Sequence, residues 1–300
     1  MNEIYRGQVS LLLSVLPEIA KEECFALHGG TAINLFVREM PRLSVDIDLT
    51  YLLIEDRKTS LNQITDALER VKERILKVLP KATVQHQKEV SKLQVSNRGS
   101  QIKVEVNQTN RGILSDPIEY QLCETAQDQF DAFCSIAIVP LSQLYGGKIC
   151  AALDRQHPRD LFDVKYLLQN EGITEEIKKG FLLSVLSSNR PTHELLQPNL
   201  LDQQSAFENQ FSGMTAEPFT YQNFESTRES LITNIVDSWT ESDKQFLIGF
   251  FKLEPDWSIY DFERFPSVQW KIQNLARVKQ DNPEKYEKLV RLLEKSFSEK

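Results

Sequence analysis

The chain has 300 residues, 41% of them hydrophobic and 26% charged, and a net charge of −8. This profile excludes disorder and collagen-like repetition and suits one large domain or two smaller ones. Apolar runs such as Leu11–Leu13 and Ile136–Val139 fall far short of the roughly 20 residues of a membrane-spanning helix, and Met1–Arg6 lacks the pattern of a secretory leader, so a cytoplasmic protein with no membrane partner is expected. Cys24, Cys123, Cys134 and Cys150 form no CxxC pair and each lies in an apolar stretch, which predicts buried free thiols rather than disulfides or a zinc site. The charge is unevenly spread. Residues 201–262 hold eleven acids against three bases, while residues 81–112 hold six bases against two acids. An anionic ligand is therefore better received in the N-terminal half.

Leu11, Leu12, Val15, Leu16 and Ile19 have helical spacing, with a break or kink expected at Pro17. Cys24–Leu27 reads as a short strand ended by Gly29-Gly30, and Thr31–Val37 as a helix started beside that glycine turn. Val45–Tyr51 alternates with period two, so Asp46 and Asp48 share one strand face while Ile47 and Leu49 share the other. An amphipathic helix is predicted over 59–78, stopped by Pro80. Leu93–Val95 and Ile102–Val106 read as strands joined in a hairpin through Ser96–Ser100, with another strand at 133–139. From Leu141 the pattern is helical, near 141–154, 159–170, 174–187, 224–252, 265–279 and 283–297. A domain boundary is expected at Pro140.

Two carboxylates pointing the same way from one strand repel unless a cation or donors lie between them, so Asp46-Ile47-Asp48 is a candidate ion site. On an edge strand the same triplet would simply face water. Gly29-Gly30-Thr31 stands at a strand-to-helix junction, where backbone N–H groups can hold phosphate; the alternative is a tight turn with Thr31 as a helix cap. Glu105, between Val104 and Val106, is an acid centred in an apolar alternation and able to complete a three-carboxylate cluster. Lys148 and Arg155 are seven apart on one helical face, with Gly146 and Gly147 allowing close approach of a triphosphate. Asp160 and Asp163 follow on the next helix, where a structural ion pair with Lys148 or Arg155 competes with a nucleotide-contacting role. The four histidines have no metal-ligand spacing. The aromatic tail from Phe246 to Trp270 reads as helical core.

The order Gly30-Thr31, Asp46-Ile47-Asp48 and Val104-Glu105-Val106 resembles the signature of the polymerase-beta-like nucleotidyltransferase superfamily. His28–Ala32, Arg42–Leu49, Lys148–Arg155 and Pro158–Leu168 narrow the likeness to the AbiEii/AbiGii toxin family, similar to MenT-type toxins. The resemblance implies an α+β fold: a mixed-sheet nucleotidyltransferase core with helices over residues 1–140, then a helical C-terminal domain over 141–300 that contributes Lys and Asp motifs to a cleft. It implies a toxin of a bacterial toxin–antitoxin or abortive-infection system that transfers a nucleotide from an NTP to an acceptor, the tRNA 3′ end, with a cognate antitoxin as partner.

In this reading Asp46 and Asp48 hold Mg²⁺, and Glu105 completes a second metal site and helps deprotonate the acceptor hydroxyl. Gly29, Gly30 and Thr31 grip the phosphates. Arg42 and Ser44 shape the loop before the metal strand, with Arg42 reaching toward the nucleotide. Lys148 neutralises charge as pyrophosphate leaves, and Arg155, Asp160 and Asp163 attend the nucleotide. Two other readings remain open at this point: a nucleotide-binding sensor without turnover, and a nucleotidyltransferase whose acceptor is a protein or a small molecule.

Overall fold

A computed structural model describes residues Glu3–Ser298. The chain divides into two compact units. The first runs to Leu144 and takes in Glu208–Phe219; the second comprises Tyr145–Phe207 and the residues from Thr220 on.

The first unit is built on a seven-stranded mixed sheet: β1 Phe25–His28, β2 Asp46–Tyr51, β3 Thr83–Gln87, β4 Lys92–Asn97, β5 Ser100–Val106, β6 Ile118–Gln121 and β7 Ser135–Ile138. Their spatial order is β3-β4-β5-β2-β1-β7-β6. β2 runs parallel to β5 and β1 parallel to β7, while the other neighbours are antiparallel. Its longer helices are α1 Glu3–Ile19 and α3 Arg57–Val78; α2 Gly29–Ala32 and α4 Glu124–Phe130 are short. Val9, Leu12, Val15 and Leu16 of α1 are buried with Ile64, Leu68, Val71 and Ile75 of α3 and with Ile47, Leu93, Val95, Ile102 and Val104 of the strands. One sheet face therefore carries the core.

Helix α1 does not break at Pro17 but continues to Ile19. The proline sits within the helix's last turn, where its missing donor and ring clash disturb few bonds. The β4–β5 hairpin closes between Asn97 and Ser100. Its two turn residues, Arg98 at φ 48° and Gly99 at φ 83°, adopt the left-handed conformation that a tight hairpin needs.

The second unit is helical: α5 Leu141–Arg155, whose first residues still belong to the first unit, α6 Pro158–Asn170, α7 Glu175–Ser187, α8 Thr192–Leu196, α9 Gln204–Ala206, α10 Tyr221–Ser238, α11 Glu241–Phe251, α12 Pro266–Asp281 and α13 Pro283–Ser298. The single helix expected over 224–252 is two helices. Thr240 ends the run because its hydroxyl accepts from the Asp243 N–H while the Asp243 carboxylate accepts from the Thr240 N–H, a capping box that restarts the helix. Phe246, Phe250, Phe251, Phe262 and Phe265 are buried core, whereas Trp270 is exposed.

Cys123, Cys134 and Cys150 are buried, Cys24 is half-buried, and all four are free thiols. Burial pushes Cys24 and Cys134 up to about 11 and Cys150 up to about 12, so none carries a useful thiolate fraction near neutral pH. Among the described residues no helix is long and apolar enough to cross a membrane.

Candidate active site

In the first unit the site grows from the end of β1. His28 pairs with Asp48 across the antiparallel β1–β2 ladder, and the chain then turns at Gly29 with φ 73°. A Cβ on Gly29 would stand 2.5 Å from Asp48 Oδ2, so glycine is required both by the left-handed backbone and by the carboxylate packed against it. Gly30 is cradled similarly. A Cβ there would lie 2.7 Å from Arg42 Nη2 and 3.1 Å from Ser44 Oγ.

Thr31 is completely buried. Its Oγ1 donates to the Asp46 carbonyl oxygen at 2.5 Å and lies 3.0 Å from Ser44 Oγ. The hydroxyl is thus turned to the first residue of β2, and the side chain holds the start of the carboxylate strand. Asn34, which the sequence reading passed over, is also completely buried, and its Nδ2 donates to the Gly30 carbonyl at 2.9 Å. A polar residue four after Gly30 on the inward side of a short helix was the available signal.

Arg42 is buried, and its Nη1 donates to the Leu43 carbonyl at 2.9 Å. The loop that carries it is fixed by the returning segment. Leu43 N–H donates to the Met214 carbonyl at 2.8 Å, Ala216 N–H donates to the Pro41 carbonyl at 3.2 Å, and Arg42 pairs with Thr215 in an isolated bridge. Phe211, Met214 and Phe219 of that segment are buried, with the Phe211 and Phe219 rings in edge contact.

The acids share one sheet face. Asp46 and Asp48 are two apart on β2, and parallel pairing sets Asp48 beside Glu105 and Asp46 beside Lys103 on β5. Residues at matched register point to the same side, so all three carboxylates lie opposite the buried face. Antiparallel pairing then sets Lys92 of β4 beside Glu105, and the two side chains form an ion pair. Glu105 is therefore engaged sideways. Among the described residues no three His, Cys, Asp or Glu side chains converge tightly enough to hold a metal ion. The donor set still suits a hard cation: two strand-borne aspartates, with Asp48 seated on the Gly29 backbone and a third carboxylate one strand away.

The remaining candidate residues form their own cluster in the second unit. Lys148 Nζ lies 2.9 Å from Asp160 Oδ1 and 3.0 Å from Asp163 Oδ2. Arg155 grips the Asp160 carboxylate with two nitrogens, at 2.5 Å and 3.0 Å. Asp160, Asp163 and Lys148 are all buried. Burial by itself raises the Asp160 pKa, but Lys148 and Arg155 overcome that and hold the carboxyl well below its usual range. His157 caps this helix by accepting from the Arg159 N–H, with Pro158 in the first turn. Gly146 lets α5 meet α7, since a Cβ there would stand 2.1 Å from the Gly180 carbonyl carbon.

Against this geometry, the family model described as nucleotidyl transferase AbiEii toxin of a type IV toxin–antitoxin system matches residues 10–274. The chain belongs to the AbiEii nucleotidyltransferase toxin family. It is therefore a nucleotidyltransferase and a toxin of the type IV class. Among solved structures, MenT4, a nucleotidyltransferase toxin from Mycobacterium tuberculosis H37Rv, superposes with a TM-score of 0.61 at 13% identity, covering 91% of this chain and 95% of that one. At that identity the likeness speaks for the α+β fold. No curated protein sequence matches the chain.

Proposed function

We propose that this AbiEii-family enzyme transfers a nucleotide from an NTP to an RNA acceptor, the 3′ end of tRNA, at the polar face of its sheet. The observation that carries the reading is the register that aligns Asp46, Asp48 and Glu105 on one face beside a glycine turn. Asp46 and Asp48 are the residues that would hold Mg²⁺. A bound Mg²⁺ would supply charge neutralisation at the NTP phosphates.

The chain's own residues do the rest. Gly29 keeps its backbone low enough for Asp48 to stand over it, and Gly30 lets Arg42 and Ser44 pack against the same turn, where backbone N–H groups would meet phosphate oxygens. Thr31, Ser44 and Asn34 hold that turn and the start of β2 in place. Arg42 sets a buried positive charge against Gly30, favouring the anionic donor. Glu105, released from Lys92, would accept the proton of the attacking hydroxyl. Lys148 is proposed to carry charge for the departing pyrophosphate, with Asp160, Asp163 and Arg155 fixing its position.

The deciding experiment incubates the purified protein with Mg²⁺, total tRNA and each labelled NTP in turn, beside an Asp46→Asn/Asp48→Asn control. Label on RNA from one NTP and a silent, folded control is the expected result. A fully active control overturns the reading. An enzyme that binds NTP yet labels nothing would instead be a sensor.

A further inference from the structure

The face that carries the three acids continues outward over β5, β4 and β3 without another acid on it. Register sets two rows across these strands. Asp46 is followed by Lys103, Gln94 and Gln85; Asp48 is followed by Glu105, Lys92 and Gln87. The reverse face of the same strands carries the buried Leu93, Val95, Ile102 and Val104, so these rows point away from the core. Lys103 and Gln85 are exposed and the other amides and Lys92 half-buried. Lys92 is paired with Glu105, but among the described residues neither Lys103 nor Arg98, at the hairpin tip, is ion-paired.

Such a surface has a definite chemistry. Amide and ammonium groups donate to phosphate oxygens and exchange hydrogen bonds with ribose hydroxyls, contacts that read backbone shape rather than base identity. The two rows hold no aromatic ring on which an unpaired base could stack, and stacking is what single-strand binders depend on. The lack of acids beyond Glu105 removes the repulsion that would exclude a polyanion, and residues 81–112 carry six bases against two acids. Two strand spacings, about 10 Å, separate β5 from β3, so the surface is continuous with the carboxylates.

We propose that the β3–β4–β5 face binds the double-helical end of the acceptor RNA through its sugar–phosphate backbone, presenting the 3′ terminus to Asp46, Asp48 and Glu105. The proposal rests on the transferase reading above and adds where the acceptor lies and which form of RNA it takes.

The test measures binding of a fluorescent RNA hairpin with a short 3′ overhang, and of a single strand of the same length, without NTP. The hairpin is expected to bind at least about tenfold more tightly. Gln85→Glu/Gln94→Glu, which changes charge without changing shape, should weaken hairpin binding at least about tenfold. Lys103→Gln should reduce the slope of log K against log salt by about 0.9, one phosphate contact. Thermal unfolding confirms that the variants fold. Hairpin binding unchanged in the double variant, or a preference for the single strand, overturns the proposal. Failure of the two readings is separable: a wild type that labels tRNA yet does not bind the hairpin sinks the face alone, whereas a face that binds RNA in a protein transferring no nucleotide sinks the transferase.

Discussion

Asp46/Asp48 and Asp160/Asp163 are both close pairs of aspartates in motifs that look alike on paper, yet the protein treats them oppositely. The first pair is two apart on a strand whose polar face is half-exposed, supported from behind by Thr31 and Gly29. The second is three apart on a helix, buried, and answered by Lys148 and Arg155. A buried carboxylate survives only when compensated, so the second pair carries its counter-charges with it. The first pair is half-exposed on the polar sheet face beside the glycine turn, where a cation from solution can reach it. The proposed chemistry is therefore placed at Asp46 and Asp48, and a positioning role at Asp160 and Asp163.

The largest expected effect breaks the first pair. Asp46→Asn or Asp48→Asn should lower transfer at least about 10³-fold, in the range seen when a key electrostatic group is removed from a reaction centre, with an unchanged melting temperature. The comparison reverses in the second pair. Lys148→Met removes the ammonium that two buried carboxylates share, leaving Asp160 to Arg155, and should destabilise the protein by about 3–5 kcal/mol, read by chemical denaturation. Transfer should fall with it, since Lys148 is also proposed to meet the departing pyrophosphate; a Lys148→Met protein of full stability would deny the cluster its structural role.

Acid sharpens the same point. Because the folded-state pKa of Asp160 is depressed below 3.8, its contribution is complete above about pH 4 and lost as the pH falls through the lowered value. Asp160→Asn should therefore be less stable than wild type at pH 7, and the gap should close on acidification below pH 4. A gap of constant size would show that the pair with Lys148 and Arg155 adds nothing to stability.

What the sequence made legible follows the same division. β2 was readable because its period-two alternation is set by a buried face, and the β4–β5 hairpin because Gly99 supplies a conformation few residues tolerate. β3 and β6 were not readable. They are the two edge strands of the sheet and neither carries a buried apolar residue, so the core imposes no apolar alternation on them. The return of Glu208–Phe219 to the first unit was equally hidden, since its pairing with Pro41–Leu43 is made by backbone groups. At the site itself, residue types and order pointed to Gly29, Asp46, Asp48 and Glu105. The orientation of the Thr31 hydroxyl and the diversion of Glu105 by Lys92 depend on tertiary neighbours that no local pattern records.

The glycine turn permits a finer cut between support and chemistry. Gly29→Ala should strain the backbone by about 1–2 kcal/mol and displace the Asp48 carboxylate, lowering transfer by about 10²-fold, the scale of a small misplacement of a reacting group. Transfer lost in proportion to stability alone would deny Asp48 its place against the turn.

The smallest effect is expected one residue behind the acids. Thr31→Val keeps the shape of the buried side chain but removes its hydrogen bond to the Asp46 carbonyl. The loss should be about 1–2 kcal/mol of stability and roughly tenfold in kcat, since a tenfold rate change needs only about 1.4 kcal/mol. Thr31→Ser retains the hydroxyl and should recover most of both. If Thr31 instead gripped phosphate directly, Thr31→Val would raise KM for the NTP and leave the affinity for Mg²⁺ untouched. As a prop beneath Asp46, it should weaken Mg²⁺ binding and kcat together, because the carboxylate and its own backbone carbonyl move as one residue.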